Sequence, residues 1–331
     1  MIRSWCPGSA RAALVAGSVL TGAAQALAQP LVLAQTIDLP AVAGRIDHLA
    51  IDLEGKRLFV AALAAGSLEV IDLRAGKRVA RFAPLSEPQG VAYDAARRRV
   101  VVASGGSGRV DAYESAPRPV AGVGDLDDAD NLRFDARAGR LFVGYGRALA
   151  VLDPERWAVT RRIALPGHPE AFEHEPPGAR IFVNVPSAGS IAVIDLSTGT
   201  ISASWPVKGA AGNFAMALDD ASHRLYVATR RPPLLLAYDT ETGRRVAELP
   251  LCGDADDLFF DARRRQLYAV CGQGVVDVVA RRAPERYEAA ERLQTAPGAR
   301  TGLFVAELST LFVAVPAGAG AAAQIRAYTI P

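Results

Sequence analysis

Short apolar runs, bounded by charged and turn-forming residues, recur in a fixed order from residue 44 to the end of the chain. The first kind ends in an acidic residue: HLAID (48–52), GVAYD (90–94), NLRFD (131–135), AFEHE (171–175), AMALD (215–219) and DLFFD (257–261), with a degenerate GLFVA at 302–306. Five residues later a second run begins in six of the seven copies, as in RLFVAA (57–62), RVVVAS (99–104), RLFVGY (140–145), RIFVNV (180–185), RLYVAT (224–229) and QLYAVC (266–271). The seventh, TLFVAV (310–315), starts one residue early. Third runs such as SLEVIDL (67–73) and SIAVIDL (190–196) and fourth runs such as KRVARFA (77–83) and TISASWP (200–206) complete each unit. The segments LSTG and TETG between them suit tight turns, because Ser, Thr and Asp side chains bond the local backbone and Gly accepts positive φ.

The period is near 42: DADNLRFD (128–135) and DADDLFFD (254–261) agree in six of eight positions and lie 126 residues apart. Four short strands per unit, rich in β-branched and aromatic residues and lacking helical periodicity, predict an all-β fold. A period of this length predicts a propeller. Seven four-stranded blades are expected, starting near residues 44, 86, 127, 167, 210, 252 and 297. The seventh unit stops after its third strand, QIRAYTI (324–330), and LAQTIDLP (33–40) has the alternation to supply the fourth. Joining the two chain ends would close the ring and remove exposed sheet edges.

IFVNVPSAGSIAVIDLSTGTISASWPV (181–207) and LYVATRRPPLLLAYDTETGRRVAELP (225–250) resemble the YVTN-type propeller repeat, and LFVAALAAGSLEVIDLRAGKRVARF (58–82) is a looser match. The likeness extends over residues 29–331 as one propeller domain and resembles the YncE-like group of exported propellers. It implies fold more than activity, because propellers host binding proteins and several enzyme classes.

Residues 1–28 read as a signal peptide: Arg3 and Arg11 precede the apolar AALVAGSVLTGAAQALA (12–28), and Ala26-Leu27-Ala28 gives an A-x-A cleavage pattern before Gln29. No later run is long enough to span a membrane, so a periplasmic or secreted protein, monomeric and without a transmembrane segment, is expected. Half the residues are apolar, 22% are charged, and the net charge is only +2. Mixed signs place Arg runs such as ARRR (96–99) in solvated turns and argue against nucleic acid as a partner. With Cys6 inside the leader, Cys252 and Cys271 remain. An even count in an oxidising compartment predicts a disulfide.

In a propeller the first strand of each blade lines the central channel. Five and four places before the acidic strand ends stand Asp47 and His48, Gln89 and Gly90, Asp130 and Asn131, Glu170 and Ala171, Phe214 and Ala215, Asp256 and Asp257, Thr301 and Gly302. Arg45, Asn213 and Arg300 lie just outside them. A ligand-binding mouth is therefore expected from Arg45, Asp47, His48, Gln89, Asp130, Asn131, Glu170, Asn213, Asp256, Asp257 and Arg300. The strand-end acids Asp52, Asp94, Asp135, Asp219 and Asp261 repeat blade by blade and are assigned to architecture. Asp128 and Asp254 are expected to bond backbone amides in their turns. His174 is expected to be a satisfied core histidine and His223 a surface residue, while His48 and His168 fall on the rim.

Three function classes follow. The mouth could receive a small molecule or a periplasmic protein partner. It could hold one divalent cation (Ca, Mg, Mn or Zn) on Asp130, Glu170, Asn213 and Asp256, since hard cations take oxygen ligands. The cation would serve a lactonase- or lyase-type enzyme, with His48 as a possible catalytic base. A redox propeller is the third class, with no C-x-x-C-H motif to support it.

Overall fold

The computed structural model describes residues 1–2, 30–175, 179–318 and 320–331, so nearly all of the expected leader and its cleavage site lie outside the described residues. The described chain forms seven four-stranded antiparallel sheets. In blade 1 the order from the inside out is Leu49–Asp52, Arg57–Ala62, Ser67–Asp72 and Lys77–Phe82. Blades 2 to 6 repeat it, with innermost strands Pro88–Asp94, Leu132–Asp135, Phe172–His174, Ala211–Asp219 and Ala255–Asp261. The molecule is a seven-bladed propeller.

Blade 7 is built from both chain ends. Gly302–Val305, Thr310–Val315 and Ala323–Thr329 are joined on the outside by Val32–Leu39. This strand pairs antiparallel from Val32 with Thr329 to Leu39 with Ala323. It buries Ile37 and Leu39 against blades 7 and 1.

In blades 1, 3 and 4 the strand-end acid and the Arg that opens the next strand form one device at the face opposite the mouth. Asp52 accepts from the Gly55 amide (2.9 Å) and from Arg57 (2.8 and 3.1 Å), and Asp135 accepts from the Ala138 amide and Arg140 (both 3.1 Å). Burial alone would raise these carboxyls, but the amide and guanidinium bonds hold both below the ordinary Asp value. The same guanidiniums lie over the Phe two residues on, Arg57 over Phe59 at 5.7 Å and Arg140 over Phe142 at 5.1 Å. The R-x-F pattern therefore records one contact repeated between turn and sheet.

Cys252 and Cys271 form a disulfide with a Cα–Cα distance of 6.0 Å. It ties the loop leading into blade 6 to the end of that blade's second strand. Among the described residues no helix is long and apolar enough to cross a membrane.

Candidate functional site

The mouth is made by backbone that continues the ladder between first and second strands beyond the regular sheet. The Asp47 amide donates to Ala61 O (2.8 Å), that of Asp130 to Gly144 O (2.9 Å) and that of Glu170 to Asn184 O (3.0 Å). Their side chains are thereby fixed at the channel rim. Gly90 allows the Asp130 backbone to come close, since a Cβ there would stand 2.0 Å from Asp130 O. Asp128 and Asp254 take left-handed φ values of 53° and 62° in the turns that lead into blades 3 and 6. Asp tolerates this region better than most residues.

Six of the expected residues, Arg45, Gln89, Asp130, Glu170, Asp256 and Arg300, line one open cavity of about 220 Å³. Beneath it is a chamber of about 20 Å³ bounded also by Asp47, His48 and Asn131. Below that, His48 and Asp257 form part of the wall of a channel cavity of about 310 Å³, otherwise mostly apolar except for Arg133 and Glu173, 3.7 Å apart.

Asn213 is turned away from the mouth. Its amide donates to Asn184 Oδ1 and Ser190 O, both at 3.0 Å, inside the junction of blades 4 and 5. The expected four-oxygen cation set of Asp130, Glu170, Asn213 and Asp256 is therefore not assembled. Among the described residues no three His, Cys, Asp or Glu side chains are grouped to hold a metal ion. Asp128 and Asp254 also depart from expectation. Asp254 pairs with Arg300 (3.1 Å) and Arg230 (3.3 Å), and Asp128 faces His168 Nδ1 at 3.3 Å. His174 lies beside Phe142, and its buried Nδ1 has no hydrogen-bond partner.

Arg230 is the mouth residue that sequence reasoning missed. It ion-pairs with Asp256, and its guanidinium lies 3.8 Å from the Phe214 ring centroid. A signal was present. The position just after the second strand is Leu63, Gly105, Gly146, Pro186, Gly272 or Pro316 in other blades, and an Arg breaks that pattern. In blade 5 the strand runs on to Arg231 and carries Arg230 over the mouth.

Burial and charge set the protonation of the cluster. Burial pulls the His48 imidazole down, but Asp257 (3.6 Å) and Asp47 (3.7 Å) on either side outweigh it and carry its pKa to about 10. At neutral pH His48 is an imidazolium, a donor or an acid and not a free base. Asp130, helped by Asp128, takes His168 to about 9. Burial raises Asp47 to about 6, and burial with the neighbouring Asp130 charge raises Glu170 to about 7.

All four shifts have one sign. A group whose folded pKa exceeds its unfolded value contributes stability that is fully present below the unfolded pKa and is lost as pH rises through the folded one. For Asp47 and Glu170 that loss runs from about pH 4 to 7, and for the histidines from about pH 6.5 to 10. Asp52 and Asp135 act oppositely, and only as pH falls below the ordinary Asp value. Thermal melts should therefore show the highest Tm in mildly acidic buffer and a steady fall towards pH 9. A Tm that rises between pH 5 and pH 9 would contradict this charge assignment.

No protein-family model matches this sequence, and no curated protein sequence matches it. Solved structures match its fold. A chain of the hydrazine synthase of Kuenenia stuttgartiensis superposes with a TM-score of 0.73 at 16% identity, covering 83% of this chain and 93% of that one. A chain from the crystal structure of a mitotic checkpoint complex superposes with a TM-score of 0.77 at 11% identity, covering 99% of each. At such identities the likeness defines the class, the seven-bladed β-propeller, and carries nothing about chemistry.

Proposed function

We propose that this chain is an exported propeller of the YVTN type whose channel mouth binds a small molecule or a periplasmic partner. The carrying observation is the convergence of charged side chains from separate blades on one open cavity, where buried oxygens of Asp130 and Asp256 have no hydrogen-bond partner. Groups whose only role was to hold the blades together would be expected to satisfy one another, as the strand-end acids do. The site residues of this reading are Arg45, Asp47, His48, Asp130, Asn131, Glu170, Asp256 and Arg300, joined by Arg230 and His168. The cation-dependent enzyme reading loses support, because Asn213 faces away and Arg230 occupies Asp256. The redox reading draws nothing from the hydrazine synthase chain, which shares only the fold.

Thermal-shift screening of purified protein against small polar compounds, alongside metal analysis after dialysis, tests the assignment. Stabilising compounds without stoichiometric metal are expected. Stoichiometric calcium, magnesium, manganese or zinc would restore the enzyme reading. Export rests on the leader pattern and agrees with the Cys252–Cys271 disulfide. Its loop of 19 residues contributes on the order of 3 kcal/mol in the chain-entropy account. Periplasmic protein should have a mass starting near Gln29 and offer no alkylatable thiol when denatured without reductant. A retained leader or two free thiols would refute this.

A further inference from the structure

The chamber between mouth and channel has a chemical bias that the proposed binding role does not by itself specify. Asp47 Oδ2, Asp130 Oδ1, Asn131 Oδ1 and Asp256 Oδ2 are all buried acceptors that receive no hydrogen bond, and all four residues line this chamber. Asn131 is only 3% exposed and Asp47 only 1%, so neither can turn to bulk water for a partner. Glu170 is a fifth wall. Its carboxylate forms no hydrogen bond or ion pair within the described residues.

The nearby donors are engaged by other oxygens of the same cluster. His48 stands between Asp47 and Asp257, and Arg230 is held by Asp256, Asp254 and the Phe214 face. Arg45 places a charge 3.0 Å from Asp47 Oδ2 and 3.8 Å from Asp256 Oδ2 without hydrogen-bond geometry to either. Its side chain remains 47% exposed. A buried acceptor without a donor costs about 1–3 kcal/mol, so several around one small space favour an occupant rich in donors.

Resting on the mouth-binding reading, we propose that the ligand is a small molecule bearing a primary ammonium group, which sits in this chamber while its body fills the mouth. The volume of about 20 Å³ admits one group the size of a water molecule. An ammonium offers three donors and a positive charge in that volume. A trimethylammonium offers no donor, is too large, and needs aromatic faces, whereas Arg230 already covers Phe214. A carboxylate or phosphate would meet a surplus of carboxylates, with Arg230 and Arg300 already engaged by Asp254.

The test titrates the protein with n-butylammonium, N,N,N-trimethylbutylammonium, butyrate and calcium chloride. Calorimetry gives affinity, and imidazole NMR signals of His48 and His168 report the location. Butylammonium should bind and move both imidazole signals. The trimethyl analogue should bind at least tenfold more weakly, and butyrate not at all. Asn131→Leu and Glu170→Gln should each weaken butylammonium at least fivefold, and Glu170→Gln covers the case in which Asn131→Leu fails to fold.

Equal or tighter binding of the trimethyl compound, butyrate or calcium, with both imidazole signals moving, overturns the ammonium inference and leaves the mouth reading standing. Probe binding that leaves both signals still overturns both. Absence of butylammonium binding, or wild-type affinity in both variants, also overturns the inference.

Discussion

Deletion of Val32–Leu39 should abolish folding or remove at least about 5 kcal/mol of stability, a large share of the 5–15 kcal/mol typical of a folded domain. The strand supplies the fourth member of blade 7. Losing it exposes the whole edge of Ala323–Thr329. Ile37 and Leu39, at 1% and 0% exposure, each contribute about 1.5–3 kcal/mol through burial alone. The unpaired edge is also a template for association, so aggregation should accompany the loss. The proper comparison is a truncation ending at Pro30, which is exposed. Cutting further would remove Leu31, which is buried among Tyr268 and Val278 and donates its amide to Glu291 at 3.1 Å. Chemical denaturation of the two truncations measures the difference. Equal midpoints and slopes would mean that the ring is held closed by something other than this strand.

Asp261→Ala should cost about 3 kcal/mol, because it removes a hub of buried bonds at the face opposite the mouth. The Asp261 carboxylate accepts the amides of Arg263 (2.9 Å) and Arg264 (3.2 Å), the Arg264 guanidinium (3.1 Å) and the Tyr268 hydroxyl (3.2 Å). Arg264 in turn donates to Ile330 O (2.6 Å) and Pro331 O, at the C-terminal end of the closing blade. One substitution therefore loosens both a turn and the ring closure. Ligand binding should survive in the folded fraction. Asp256 is five strand positions away, roughly 17 Å at the usual rise per residue.

The fold was readable because a propeller writes the same contacts into the sequence once per blade. In blades 1, 3 and 4 the acid that ends the first strand pairs with the Arg that begins the second, and the fixed spacing of these positions along the chain exposes the period. The loops at the mouth carry no such repetition. Sequence position places Asn213 beside the mouth, next to Phe214, which holds in blade 5 the position of Asp130 and Asp256. Successive strand side chains point to opposite sides, so Phe214 faces the cavity as its counterparts in other blades do, and Asn213 enters the blade junction. The ladders of blades 2, 5 and 6 also shift register near the mouth, between Pro88 and Val91, Asn213 and Met216, and Ala255 and Asp257. Arg230 escaped because its placement depends on a strand that overruns its usual end. Irregularity of this kind arises from packing between blades, and a single repeat cannot show it.

The most direct test of the mouth as the functional face compares ligand binding by Asp256→Ala and Asp261→Ala, each measured on folded protein with a compound found by thermal-shift screening. Asp256 sits beside Arg45, Arg230 and Arg300, and its removal takes one of the two carboxylate partners of Arg230 and an acceptor from the chamber. The account predicts at least a tenfold loss of affinity for Asp256→Ala, about 1.4 kcal/mol. It predicts unchanged affinity and a lower Tm for Asp261→Ala. Loss of binding in folded Asp261→Ala protein, with wild-type affinity in Asp256→Ala, would place the functional site on the opposite face and contradict the account.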